Sequence, residues 1–261
     1  MSPWSKTGLT FAVVALIAYL VVGVLLYLFQ RTFIYFPVGN VEHSLPTERF
    51  KSDGEIISVI SINQQNDDAI LYFGGNAEMV VGEAEYFDRV FPDYAVYLVN
   101  YRGYADSTGV PTEYGLYADA ENIFDQLSER HKTVSAIGRS LGSGVATHLA
   151  SVRKPDNIIL VTPFDSIQRL AQRIYPVYPM SLMLKDKFDS VSRVPKIDAP
   201  VLIIAAEQDY VIPRKNTQSL FDAFPPSQVK MHIIQNSRHN TVSLSDEYYQ
   251  VIHKHLTAHQ N

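Results

Sequence analysis

The chain contains no cysteine, which removes disulfides, thiolate nucleophiles and cysteine-ligated zinc sites, and leaves both sides of a membrane open to it. Its 22 basic and 27 acidic side chains give a formal net charge of -5, and nowhere do the positive charges cluster. Nucleic acid is therefore not an expected partner, because binding phosphates requires grouped Lys and Arg to displace counterions. Cofactor signatures are missing as well. There is no Gly-x-Gly-x-x-Gly after a strand-like run, no glycine-rich loop ending in Gly-Lys-Ser or Gly-Lys-Thr, and no His-Glu-x-x-His. No cofactor or metal is implied, and no internal repeat or low-complexity tract interrupts the chain.

Charge is also absent from Gly8 to Phe29, a run dense in Val, Leu, Ile, Ala and aromatics and bracketed by Lys6 and Arg31. As a helix it is long enough to cross about 30 Å of hydrocarbon. A buried core helix would rarely be apolar on every face over this length. The h-region of a cleaved signal peptide is shorter, and a small-residue cleavage site would follow it, whereas Tyr27, Phe29, Gln30 and Arg31 come next here. We therefore expect an uncleaved, single-pass membrane anchor over residues 1–31, with Trp4 and Tyr27 as its interfacial aromatics. The few flanking basic residues leave open which side of the bilayer the rest of the chain faces.

Residues 32–54 read as a connector and 55–261 as one globular domain. Ile56, Ile57, Val59, Ile60 and Ile62 form a β-rich run, and the polar turn Asn63–Asp68 predicts a hairpin leading into a strand over Ala69–Phe73. Further short apolar runs follow at Ala95–Val99, Val134–Ile137, Ile158–Val161, Val201–Ala205 and Met231–Ile234. Such runs suit parallel strands covered on both faces. Helical patterns lie between them, the clearest placing Leu116, Ala120, Ile123, Phe124 and Leu127 on one face. The expected fold class is thus α/β, a mostly parallel, doubly wound sheet with its site beyond the carboxyl ends of the strands. Asp165–Val194 breaks the alternation and fits equally a lid or acyl-group wall and an ordinary long crossover.

The chemistry centres on Gly138-Arg139-Ser140-Leu141-Gly142, which follows an apolar run and opens a small-residue segment. This is strand, sharp turn and helix, with a serine pushed onto an exposed elbow and glycines where a Cβ would collide with neighbouring backbone. Ser140 is the candidate nucleophile. A serine hydroxyl needs a base within hydrogen-bond reach and an acid to orient that base. Of 8 histidines, His239 stands in a loop just past the last predicted strand and is the candidate base. Asp209 lies beyond the carboxyl end of the strand Val201–Ala205 and is the candidate acid. Asp165 competes for that role, although helix capping at Asp165 or Ser166 is the account we prefer for it. Glu207, nearer the strand, reads as structural. For the developing oxyanion, the N–H of Leu141 and that of Asn76, in Gly74-Gly75-Asn76-Ala77, are the candidate donors, with Ala77 as the alternative to Asn76.

Several short motifs occur together in one order: Ile34-Tyr35-Phe36-Pro37, Gly75-Asn76-Ala77, Asn100-Tyr101-Arg102-Gly103-Tyr104, Gly138 to Gly144, Thr162-Pro163-Phe164, Asp209 to Pro213, and His239-Asn240. In these the chain resembles the alpha/beta-hydrolase superfamily, in particular its small membrane-anchored serine hydrolases of the aminopeptidase-like and thioesterase-like kind. The resemblance implies a Ser140, His239 and Asp209 triad and acyl-serine chemistry on esters or thioesters. The substrate would be a small-molecule or lipid acyl ester, or an acylated protein, met at a membrane. A peptidase, an acyltransferase or a non-catalytic binding protein on the same fold are the alternatives. Two positions depart from the pattern. Gly74 stands where relatives carry histidine, which implies a more loosely held oxyanion loop, and Arg238 replaces the usual small residue before His239.

Overall fold

The computed structural model describes residues 3–258; residues 1–2 of the expected anchor and 259–261 of the expected domain lie outside the described residues. The apolar N-terminal run forms one helix, α1 (Pro3–Ile34). Its stretch Thr7–Ile34 is long and apolar enough to cross a membrane and is a candidate transmembrane span.

Beyond it lie eight strands, β1 (Thr47–Ser52), β2 (Glu55–Ile62), β3 (Asp68–Phe73), β4 (Tyr94–Val99), β5 (Thr133–Arg139), β6 (Ile158–Val161), β7 (Val201–Gln208) and β8 (Val229–Arg238). The helices between and after them are α2 (Ala84–Val90), α3 (Glu113–Ser128), α4 (Leu141–Val152), α5 (Ile167–Ile174), α6 (Met180–Met183), α7 (Arg214–Phe221) and α8 (Asp246–Thr257). One sheet holds all eight strands in the order β1-β2-β4-β3-β5-β6-β7-β8. β1 and β2 run antiparallel to their neighbours, and every pairing from β4 to β8 is parallel. This is the alpha/beta-hydrolase fold, the mostly parallel sheet that the strand and helix pattern predicts.

Two details differ from the sequence expectation. The first strand lies inside the stretch expected as connector. It is joined to β2 by Asp53-Gly54, both with positive φ (47° and 82°), the mirror-image turn that matches the twist of a hairpin. The hairpin expected between β2 and β3 does not form. β2 pairs with β4, and β3 sits on the far side of β4, because the crossover through α2 returns β4 parallel to β3 and fills the space between them.

Side chains alternate along β3. Ala69, Leu71 and Phe73 face a core shared with α3 and α4, while Ile70 and Tyr72 face a second core shared with α2 and α8. Helices on both faces explain why the central strands are apolar throughout. α3 starts at Thr112, whose side chain accepts from the Gly115 N–H, and its expected apolar face, Leu116 to Leu127, is buried. With both faces covered, the carboxyl edge of the sheet is left for loops, and there β5 turns into α4.

Candidate active site

At that turn Ser140 has φ 48° and ψ -113°, a strained conformation that surrounding structure must enforce. The enforcement is steric. A Cβ on Gly138 would lie 2.2 Å from the Gly142 carbonyl oxygen, and one on Gly142 would lie 2.0 Å from the Phe73 carbonyl oxygen. No side chain fits at either position. The Ser140 N–H donates to the Val161 carbonyl, pinning the elbow to β6 at 2.9 Å.

The sequence-predicted partners converge on this serine. His239, just past β8, holds its Nε2 2.9 Å from Ser140 Oγ and its Nδ1 2.8 Å from Asp209 Oδ2. Both the imidazole and the carboxylate are buried, with side chains 9% and 6% exposed. Asp209 is held in turn, its Oδ1 accepting from the N–H groups of Val211 and Ile212 at 2.9 and 2.8 Å. A hydroxyl, an imidazole and a fixed carboxylate in this sequence can pass the serine proton to nitrogen while the carboxylate selects the tautomer.

Asp165 is engaged elsewhere. Its Oδ1 accepts from the Ser166 N–H and from Asn216 Nδ2, and its Oδ2 meets Arg169. Ser166 caps α5 by accepting from the Arg169 N–H. Glu207 accepts from the Asn236 N–H. Other histidines are also occupied away from Ser140: His131 against Tyr97, His148 against Glu121 and stacked on Tyr117, and His232 against Glu247.

Asn76, Ser140 and Leu141 border one cleft of about 580 Å³, whose other walls include Phe33, Phe36, Phe164 and Leu170. Leu141 is the first residue of α4, where amides have no intrahelical acceptor. The Asn76 side chain leaves its backbone amide out of its own bonding. Oδ1 accepts from the Phe36 N–H and the Tyr104 hydroxyl, while Nδ2 donates to the Ile34 carbonyl. Ala77, the alternative donor, follows at φ 59°.

The loop carrying Asn76 is tethered, contrary to what Gly74 suggests in sequence. Tyr101 donates to the Gly74 carbonyl at 2.7 Å, and the Gly75 N–H donates to Glu78 Oε2 at 2.6 Å. Glu78 also accepts from the Tyr72 hydroxyl and pairs with Arg139 at 3.2 Å. Burial works to lower the Arg139 pKa, but Glu78, with Tyr72, Tyr248 and Glu83, outweighs it and raises that pKa. Arg139 therefore stays charged and ties the residue before Ser140 to the loop carrying Asn76. Sequence reading missed Glu78 and Arg139; the signal was an acid two residues past Asn76 and a base at the variable position of the elbow. Arg238 is exposed at the end of β8, whereas the cation in the cleft wall is Arg173, which donates to Asn216.

No protein-family model matches the chain. An uncharacterized protein of Mycobacterium tuberculosis, Rv2307c, is 30% identical over 252 residues, covering 90% of this chain and 89% of that protein. The lysophosphatidylserine lipase ABHD12 of Xenopus tropicalis is 32% identical over 221 residues, covering 72% of this chain and 57% of the lipase. Among solved structures, the Pyrococcus furiosus esterase Pf2001 superposes with a TM-score of 0.70 at 13% identity, covering 87% of this chain and 98% of the esterase. The chain belongs to the alpha/beta-hydrolase superfamily.

Proposed function

We propose that the chain is a membrane-tethered serine hydrolase that cleaves carboxylic esters or thioesters through an acyl-enzyme. The observation that carries this reading is the continuous hydrogen-bonded series from Ser140 Oγ through His239 to Asp209. Ser140 Oγ attacks the carbonyl carbon as its proton passes to His239 Nε2, and the carbonyl π pair moves onto oxygen. The N–H groups of Leu141 and Asn76 hold that oxyanion. Collapse expels the alcohol or thiol, which takes the proton from His239, and water then releases the acid by the same steps in reverse order. Asp209 keeps the imidazole in the required tautomer. A fluorophosphonate probe tests this: wild-type protein should label and Ser140→Ala should not, while folded wild type that stays unlabelled would indicate a non-catalytic binding protein.

The cleft supports an amphiphilic acyl substrate. Its walls are mostly apolar, and Phe33 and Ile34 come from the end of the apolar helix itself. ABHD12 is by its name a lipase of lysophosphatidylserine, and the same chemical class, a single acyl chain on a polar head, suits this wall. The specificity constant kcat/KM should rise at least tenfold from two-carbon to long-chain acyl esters, since each buried CH₂ contributes about 0.8 kcal/mol. Equal kcat/KM on short soluble and long-chain esters would remove the support for a lipid substrate.

Glu78 acts as a positioning residue in this scheme, holding the loop of Asn76 through Gly75 N–H and the elbow through Arg139. Glu78→Gln is expected to lower kcat by about tenfold with KM within about twofold, because a fixed oxyanion donor matters more to the transition state than to bound substrate. A lowered melting temperature with kcat intact would show the Glu78–Arg139 pair to be structural only.

A further inference from the structure

α1 does not stand apart from the domain. Tyr178, in the loop between α5 and α6, stacks on Tyr19 with ring centroids 4.6 Å apart and planes 6° from parallel. Each tyrosine hydroxyl also bonds to backbone across the contact: Tyr178 to the Tyr19 carbonyl and Tyr19 to the Val177 carbonyl, both at 3.0 Å. Gly23 lets the ring lie flat on the helix, since a Cβ there would be 3.2 Å from it. Nearer the end of α1, Gln30 bonds to the Met183 carbonyl and the Lys185 N–H, Arg31 pairs with Asp186 at 2.8 Å, and Lys185 Nζ sits 4.6 Å from the centre of the Tyr27 ring.

The uncharged part of α1 runs from Thr7 to Gln30. A bilayer's hydrocarbon needs about 20 helical residues. Every placement of such a span within Thr7–Gln30 leaves Tyr19 inside the boundary on the domain side, by about 10–17 Å at a rise of 1.5 Å per residue. Whatever touches Tyr19 is then at that depth as well. The stretch that touches it, Ile174 to Leu184, has no charged residue and is flanked by Arg173 and Lys185, the pattern of an apolar segment whose cationic ends stay with lipid headgroups. Its outward side chains are apolar apart from Ser181: Ile174, Val177 and Leu182 are 69%, 69% and 82% exposed.

Hydrocarbon offers no hydrogen bonds, so irregular backbone at that depth must be satisfied by the protein. Four consecutive carbonyls at the tip of this loop are. Gln172 Nε2 donates to those of Pro176 and Tyr178 at 3.2 and 2.9 Å, and Tyr19 donates to that of Val177. The Tyr175 carbonyl accepts from the Tyr178 N–H. Pro176 and Pro179 have no N–H to satisfy, and Met180 N–H donates to Gln172 Oε1 at 3.1 Å. One glutamine side chain thus satisfies two of these carbonyls and the Met180 N–H.

We propose that Ile174–Leu184 is a second membrane element, inserted into the leaflet on the domain side and packed along α1, and that it opens the Ser140 cleft toward lipid. This rests on α1 crossing the bilayer. Ile174 belongs both to the inserted surface and to the cleft wall, beside Phe33 from α1, so an acyl chain lying in the leaflet reaches Ser140 without passing through water.

The absence of cysteine makes the test direct. Single substitutions Leu182→Cys, Val21→Cys and Ser227→Cys, each labelled with an environment-sensitive fluorophore, are read in full-length protein in phosphatidylcholine vesicles. Quenching by lipids spin-labelled midway along the acyl chain is compared with quenching by aqueous iodide. Val21 lies in α1, and exposed Ser227 precedes β8 at the sheet edge opposite the cleft. The expected result is lipid quenching at 182 close to that at 21 and at least fivefold above that at 227, unchanged in a Ser140→Ala background. Lipid quenching at 21 with iodide quenching at 182 overturns the insertion and leaves the anchor standing. Iodide quenching at both positions overturns the insertion and the anchor reading beneath it, and neither result bears on Ser140 chemistry.

Discussion

His239→Ala is expected to lower kcat on a chromogenic ester by about 10⁵- to 10⁶-fold while leaving the fold in place. Without the imidazole 2.9 Å from its oxygen, Ser140 keeps its proton and attacks no carbonyl at neutral pH. Losses of this size follow removal of the base from such an arrangement, because serine and histidine act as one unit. The substitution leaves Asp209 with the amide donors of Val211 and Ile212, so its carboxylate is not stranded without partners and the melting temperature should move little. Steady-state kinetics with a matched thermal melt decide the matter. A rate within tenfold of wild type would mean that another group activates Ser140, or that Ser140 is not the nucleophile.

The two aspartates should separate by about four orders of magnitude. In Asp209→Asn the side-chain amide can offer an N–H to His239 Nδ1 where the carboxylate accepted one. That favours the tautomer whose Nε2 carries a proton and cannot take another from serine, and the cost in such a triad is about 10⁴ in kcat. Asp165→Asn should leave kcat within a few-fold. Its effect should fall on stability, by about 1–3 kcal/mol, through the hydrogen bonds of its carboxylate to Ser166 and Asn216 and its contact with Arg169. Kinetics and denaturation of both variants give the comparison. If Asp165→Asn lost the activity and Asp209→Asn kept it, the acid would be the wrong one of the pair.

Much of the sheet was legible because parallel strands buried on both faces must be apolar along their whole length, and β4, β6 and β7 announce themselves in this way. The elbow was legible for a steric reason: glycine is the residue that fits at 138 and at 142 when backbone oxygens lie about 2 Å from the missing Cβ. What the sequence concealed are matters of partnership. A β-rich run does not say which strand lies beside it, so β2 was expected against β3, whereas the path of the chain through α2 set β4 between them. β1 is short and polar on its exposed face and passed for connector, although Asp53-Gly54 carried the turn signal. Glu78 and Arg139 are two ordinary charges until folding puts the loop after β3 against the end of β5. The contact of Tyr19 with Tyr178 joins residues far apart in the chain, and no local sequence pattern announces it.

The central claim is that Ser140 becomes acylated during turnover, and the most direct measurement is the mass of the protein caught in the act. Acid quenching in the first turnovers with an activated long-chain ester, followed by peptide mapping, should find one added acyl group on the peptide containing Gly138 to Gly142, at Ser140, and none in Ser140→Ala. An enzyme that turns over the ester while Ser140 remains unmodified, with the acyl group found on another residue, would contradict the account.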